Sequence, residues 1–343
     1  MNCDYVVLLS QDSTSSNANL FYFTGFKGFG VFIIPKRGRA VLLATKLDIG
    51  NLQNKSVKAV VLEKKVSSYL SKLVKKHKRI GFDFATLDVG SFMRIKRFLK
   101  PKRVIDVSLQ LLQQRAVKDK YEIQQIKKAC NEICSIAGLA IKTMHKFRHE
   151  FEVRRFIDSE AKRRGYDMSF ETIVASGKNA ASPHYNAGTS KLKRGFLVMD
   201  CGVVVNGYCS DITRTIFLGK PSKKEKDEYT KMLSVQKKCI ELARQDKPIS
   251  EIDEYAHKEL GKAYVHALGH GIGLDVHELP HVSIYNKEKI KDNVCFTIEP
   301  GVYYPRKFGI RIEDCLVKIN GKVKNLTSSL TKKLIIINKK IYK

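Results

Sequence analysis

Met199-Asp200-Cys201-Gly202-Val203-Val204-Val205-Asn206-Gly207-Tyr208-Cys209-Ser210-Asp211-Ile212-Thr213-Arg214-Thr215 is the stretch from which the architecture of the chain can be read. Asn-Gly between β-formers specifies a two-residue type I′ turn, because both central residues need positive φ. That turn sets Val205 opposite Tyr208, and counting back sets Gly202 opposite Asp211. Side chains alternate along a strand and directly opposed residues share a face, so Asp200, Gly202 and Asp211 lie on one side. The two carboxylates become diagonal neighbours, roughly 7–8 Å apart at the backbone. Two acids aimed at one spot from a rigid hairpin repel unless a cation lies between them.

Working outward, the first part of the chain alternates β-rich runs with turns. Strands are predicted at 5–9, 30–34 and 40–44, with a turn at 35–38. Helical spacing at 66–74 and 92–99 brackets a further strand at Arg79–Phe82. These elements make an α/β domain over residues 1–114. A long amphipathic helix then begins at Asp119 with Glu122 as a capping box, its apolar positions Ile123, Ile126, Cys130, Ile133, Ala137, Ala140 and Met144 recurring every three or four residues. The second domain, 115–343, continues with a helix at 150–164, a strand near 172–175 and the hairpin at 196–217. Helices are predicted to start from Ser222, with Glu225 three on, and from Ser250, with Asp253 three on. Strands at 294–299 and 309–319 complete an α/β (α+β) plan.

The 343 residues suit two domains, and 43% apolar residues can fill their cores. A formal charge of +29 suggests an anionic partner. The excess is, however, spread along the chain: residues 1–114 hold 20 basic and 7 acidic side chains, and residues 115–343 hold 43 and 27. A binding arm would concentrate the charge, so a lysine-rich solvated surface is the simpler reading and argues against a nucleic-acid partner. Eight cysteines without a C-x-x-C pair indicate neither a zinc ribbon nor a disulfide framework, and a cytoplasmic location is expected. No apolar run is long enough for a membrane span.

Further candidates lie in the second domain. His270 stands among glycines in Gly269-His270-Gly271-Ile272-Gly273, where backbone can approach closely. Glu299 ends a strand before Pro300-Gly301. Arg311 and Glu313 are two apart in a β-like run, hence on one face, and an acid beside a basic neighbour can stay ionised. One imidazole and four carboxylates (His270, Asp200, Asp211, Glu299, Glu313) make a hard, anionic set suited to two divalent ions, Mn²⁺ or Co²⁺ with Fe²⁺ or Zn²⁺ as substitutes. Such a pair activates water and polarises a carbonyl for hydrolysis. His277-Glu278-Leu279-Pro280-His281 also matches the H-E-x-x-H zinc signature, but that signature needs a helix, and Pro280 in its middle breaks one.

The ordered set of these motifs resembles the aminopeptidase P, prolidase and methionine aminopeptidase family of metallopeptidases, whose catalytic domain is the pita-bread fold. The resemblance spans 115–343. Asn19-Leu20-Phe21-Tyr22-Phe23-Thr24-Gly25-Phe26 and Ile80-Gly81-Phe82-Asp83 resemble the amino-terminal domain of creatinases, aminopeptidases P and prolidases, which methionine aminopeptidases lack. The resemblance implies that Asp200 and Asp211 hold one metal, and that Asp211, His270, Glu299 and Glu313 hold the other. It gives Glu299 the proton shuttle from water to the departing proline nitrogen. His184 matches the histidine near the scissile amide, His277 the one that stabilises the oxyanion, and His266 and Arg311 further active-site residues. A homodimer is implied.

Xaa-Pro dipeptide hydrolysis is therefore expected, with aminopeptidase P activity on longer peptides as the alternative. The two differ in whether the site clamps a dipeptide's free carboxylate. Prolidases of this short length often carry an arginine just after the His-Glu stretch where this chain has His281, a weaker and pH-dependent partner. A third reading, a pita-bread domain that binds RNA or histone-like proteins without catalysis, fits the charge but not the complete ligand set.

Overall fold

The computed structural model describes residues 2–11 and 17–338, and the chain divides into two compact units, Met1–Arg115 and Ala116–Lys343. The first is built on a six-stranded mixed sheet in the spatial order Lys58–Val61, Val41–Ala44, Gly30–Pro35, Tyr5–Ser10, Arg79–Phe82, Arg103–Asp106. Tyr5–Ser10 runs antiparallel to Gly30–Pro35 and parallel to Arg79–Phe82. Successive side chains of a strand leave on opposite faces. Val7 therefore enters one core with Ile33, Leu43, Phe82 and Leu99, and its neighbours Val6 and Leu8 enter another with Phe32 and Leu42. A sheet covered on both faces reads as continuous apolar runs rather than alternation.

In the second unit the helix Lys120–Thr143 starts at the predicted capping box: Glu122 N donates to Asp119 Oδ1 and Asp119 N to Glu122 Oε2, each at 2.8 Å. Its apolar stripe packs with the helix Glu150–Arg163 onto a four-stranded sheet ordered Ile336–Ile337, Ile212–Leu218, Gly195–Cys201, Ile173–Ser176. A five-stranded sheet, Glu278–Val282, Gly269–Gly271, Cys295–Ile298, Asp314–Ile319, Lys322–Asn325, packs against the helices Lys223–Arg244 and Ile249–Leu260. Asn206 and Gly207 take φ of 50° and 91°, the pair of positive values a type I′ turn requires. Val205 faces Tyr208, and the same register continues to Cys201 opposite Ile212 and Asp200 opposite Thr213. No bulge intervenes, so Asp200 and Asp211 keep one face.

Two expectations are corrected. Ser250 does not cap a helix: the helix Ile249–Leu260 begins after Pro248, and Asp253 instead accepts bonds from Tyr264 Oη at 2.8 Å and Ile284 N at 2.9 Å. The first-turn N–H groups find backbone carbonyls instead, Ile249 N donating to Glu288 O at 2.9 Å and Ser250 N to Asn286 O at 2.8 Å, so no capping side chain is required. The run at 309–319 is two strands, Phe308–Arg311 and Asp314–Ile319, in different sheets. Arg311 and Glu313 consequently belong to no common strand face.

Candidate active site

The four-stranded sheet, the five-stranded sheet and the Gly301–Tyr304 / Phe308–Arg311 hairpin converge on a cleft of about 640 Å³. Asp200, Asp211, His270, Glu299, Arg311, His184, His266, His277 and His281 all line it. Glu313 lies behind them, almost fully buried, with one carboxylate oxygen within 4.8 Å of ligating atoms on Asp211 and His270. All ten residues singled out from the sequence are therefore brought to one place.

Asp200 and Glu313 are each held through one oxygen and left open through the other. Asp200 Oδ2 accepts from Arg311 Nη2 at 2.6 Å, and Glu313 Oε2 accepts from Thr213 Oγ1 at 2.8 Å. Asp200 Oδ1, Asp211 Oδ1 and Glu313 Oε1 are buried and have no hydrogen-bond partner. Buried polar atoms are rarely left so. Three unpaired carboxylate oxygens beside an imidazole are what a hard divalent cation requires of its ligands, and the donor set fits such ions.

The electrostatics point the same way. Burial, then repulsion from Glu313, Asp200 and Glu299, holds the Asp211 carboxyl well above the usual range, and Glu313 is raised by burial and by Glu299 and Asp200. Glu299 behaves oppositely: burial works against its charge, but the hydrogen bond from His270 Nε2 at 3.2 Å and the positive charges nearby hold it below its ordinary value. Burial likewise opposes charging of His270, yet Glu299 and Glu313 raise it to about 9. Its Nδ1 lies 3.1 Å from Gly271 O, which aims Nε2 at the acids. The flanking glycines leave room for the carbonyls of Thr297 and Leu279, which would stand 2.3 and 2.0 Å from added Cβ atoms.

Arg311 does not pair with Glu313 as expected. Its guanidinium donates to Asp200 Oδ2, to Thr213 Oγ1 from Nε at 3.1 Å, and to Tyr303 Oη from Nη1 at 2.7 Å. Tyr303 Oη in turn meets His266 Nε2 at 3.0 Å. Burial lowers the pKa of His266, favouring the neutral ring. His277 stands edge-on to His270 with centroids 4.4 Å apart, and burial and the His270 charge lower its pKa. His184 is exposed on the loop before Tyr185, and His281 is exposed on the strand Glu278–Val282. That segment is a strand with a cis Leu279-Pro280 peptide, so His277 and His281 share no helix face and the zincin arrangement is absent.

Thr213 and Tyr303 join the site without having been singled out. Thr213 was readable, since it faces Asp200 in the register that defined the site. Tyr303 reaches Arg311 only through the Gly301–Tyr304 hairpin, and no spacing rule announces that contact.

Comparison with known proteins adds the family. Residues 124–318 match metallopeptidase family M24, and residues 3–117 match the creatinase/prolidase N-terminal domain. The chain is 33% identical over 322 residues to a Xaa-Pro dipeptidase of Pyrococcus furiosus, covering 91% of each chain, and 32% identical over 323 residues to that of Pyrococcus horikoshii, covering 92% of each. Among solved structures it resembles an X-Pro aminopeptidase from Thermotoga maritima (TM-score 0.89, 28% identity, 98% of both chains). It also resembles the prolidase from Pyrococcus furiosus (TM-score 0.84, 30% identity, 94% of this chain and 96% of that one).

Proposed function

The chain belongs to metallopeptidase family M24, and from that premise we propose that it is a Xaa-Pro dipeptidase. The observation that carries the reading is the trio of unpartnered buried oxygens on Asp200, Asp211 and Glu313, gathered with His270 and Glu299 in one cleft. A cleft of about 640 Å³ suits a small peptide. Asp200 and Asp211 would hold one cation, and Asp211, His270, Glu299 and Glu313 a second. Two divalent ions there, Mn²⁺ or Co²⁺ with Fe²⁺ or Zn²⁺ as substitutes, supply water activation at neutral pH and polarisation of the scissile carbonyl.

The chain's own groups do the rest. The bond before proline is a tertiary amide, so its nitrogen has no proton and becomes basic once the carbon is tetrahedral. Glu299, kept ionised, takes a proton from the attacking water and delivers it to that nitrogen. His277 donates to the developing oxyanion, and His184 stands near the scissile amide. His266 and His281 bind the substrate beyond the scissile bond. Arg311 fixes Asp200 and contributes positive charge to the cleft.

Two of the curated relatives carry the dipeptidase name, which supports the dipeptidase reading. The likeness to the Thermotoga maritima aminopeptidase structure favours the alternative, cleavage of longer Xaa-Pro peptides. Turnover of a Xaa-Pro dipeptide against a Xaa-Pro-Xaa tripeptide, with and without added Mn²⁺ or Co²⁺, separates them. A metal-loaded sample inactive on both overturns the peptidase reading and revives a binding-only role. His281→Ala should raise KM for the dipeptide while metal stays bound. Homodimeric assembly in the cytoplasm belongs to the same reading and is checked by light scattering and fractionation.

A further inference from the structure

Glu278, the central acid of the H-E-x-x-H look-alike, takes no part in the metal cluster, yet it is one half of the most completely buried ion pair among the described residues. Its Oε2 accepts from Lys118 Nζ at 2.9 Å, and each side chain is 1% exposed. A pair so enclosed is strongly destabilising to break, yet well-packed apolar residues would often stabilise the same space as well, so the pair's use is sought in what it positions. The reason lies in the turn that Glu278 closes. Its Oε1 accepts from Asp275 N at 3.1 Å, and its carboxylate covers Gly273 so closely that an added Cβ would fall 2.5 Å from Oε2. Gly273 N donates to Asp275 O at 3.1 Å, and Gly273 O accepts from Cys209 N at 2.7 Å, which ties the turn to the hairpin that carries Asp211. Lys118 is itself anchored, with N donating to Asn293 O at 2.8 Å and Nζ to Ala116 O at 3.3 Å. Val276 and His277 are the two residues between that closed turn and Glu278, and His277, directly before Glu278, is exposed to the cleft with its ring edge-on to His270.

We propose that Lys118 and Glu278 are positioning residues for His277: the buried pair locks the Gly273–Asp275 turn and thereby fixes the imidazole at the place where the oxyanion develops. The inference rests on the peptidase reading for the role of His277, but not for its placement. An exposed histidine on a surface turn otherwise samples several rotamers, and a transition-state donor displaced by even 1 Å costs rate on the order of 100-fold. The pair therefore serves catalysis from outside the cleft.

The test has two independent readings on the full-length protein, loaded with diamagnetic Zn²⁺ for spectroscopy and with Mn²⁺ for kinetics. Histidine-labelled protein is examined by NMR for wild type, Glu278→Gln and Lys118→Met, with His277→Ala assigning the resonance. The His277 signal should move or broaden in both variants while those of His184 and His266 stay in place. An unmoved His277 signal overturns the proposal whether or not the protein hydrolyses Xaa-Pro peptides. Kinetically, Glu278→Gln should lower kcat about 10- to 100-fold with KM within about twofold and metal content unchanged. In a His277→Ala background the same change should have no further effect on kcat. If the losses multiply instead, Glu278 acts on fold or metal rather than through His277, and the proposal fails. Should Lys118→Met not fold, Lys118→Arg, which keeps the charge, must restore the His277 signal or the proposal is refuted.

Discussion

Gly202→Ala probes the geometry on which the whole site depends. A Cβ at Gly202 would lie 1.9 Å from Ser210 O, 2.9 Å from Ser210 C and 3.0 Å from Ser169 Oγ. Backbone on the opposite strand cannot rotate away as a side chain tip does, so the strands must part by roughly 1 Å to bring the closest contact to 3.0 Å. Asp200 lies two residues before Gly202 and Asp211 directly follows Ser210, so the opening falls between the two carboxylates. Overpacking of this kind costs about 1–3 kcal/mol, and a unit of this size loses about 2–4 °C of Tm per kcal/mol, giving a fall of roughly 2–12 °C. Divalent ligands tolerate little misplacement, and disturbed supporting contacts typically cost about 10- to 100-fold in metal affinity. Calorimetric titration with Mn²⁺ and a thermal melt measure the two effects separately. Gly50→Ala, where nothing lies within 4 Å of the added atom, is the control. A Gly202→Ala protein with wild-type Tm and Mn²⁺ affinity would show that the hairpin does not set the spacing of the acids.

Three further outcomes are expected. Thr213→Val removes the donor to Glu313 Oε2 and the acceptor for Arg311 Nε, and should weaken Mn²⁺ binding about 10- to 100-fold; unchanged affinity by titration refutes the supporting role. Glu160, held at about 2 by hydrogen bonds from Arg163 and Arg164, has a depressed pKa, so its stabilisation is present above its ordinary 4.5 and is lost as pH falls from there toward 2. Urea midpoints of wild type and Glu160→Gln should therefore converge across that window, and parallel curves refute the ion-pair account. If the +29 charge draws in the substrate carboxylate, kcat/KM should decline as salt rises from about 0.02 to about 0.5 M, and a flat profile removes that role.

The site was legible wherever one local rule fixed both conformation and direction. Asn206-Gly207 imposed a turn, the turn imposed a register, and the register put Asp200 and Asp211 on one face without any tertiary information. Glycines around His270 likewise signalled close backbone, which the carbonyls of Thr297 and Leu279 supply. Reading failed where direction depends on a change of sheet. The break at Ile312 sends Arg311 toward Asp200 and Tyr303 and leaves Glu313 to Thr213, an outcome that two-residue spacing alone cannot contain. The helix Ser108–Ala116 and the strands Lys58–Val61 and Arg103–Asp106 are short and half-exposed, so neither period stands out in the sequence.

The same atoms that fit the site for cations make it a liability to the fold. Asp211 and Glu313 resist ionisation because burial and neighbouring acids penalise their charge, and three of the cluster's buried oxygens have no donor. Arg311 neutralises Asp200 but cannot serve the others, since its remaining nitrogens are committed to Thr213 and Tyr303. Divalent cations bound there would relieve that repulsion directly, and a ligand at about 100 times its Kd adds about 2.7 kcal/mol of stability per site. Metal affinity and fold stability are in this way one quantity seen twice. A substitution that removes an acid from the cluster should therefore stabilise the metal-free chain while destroying its capacity to be stabilised by Mn²⁺, the opposite signs that distinguish a ligand from a structural carboxylate.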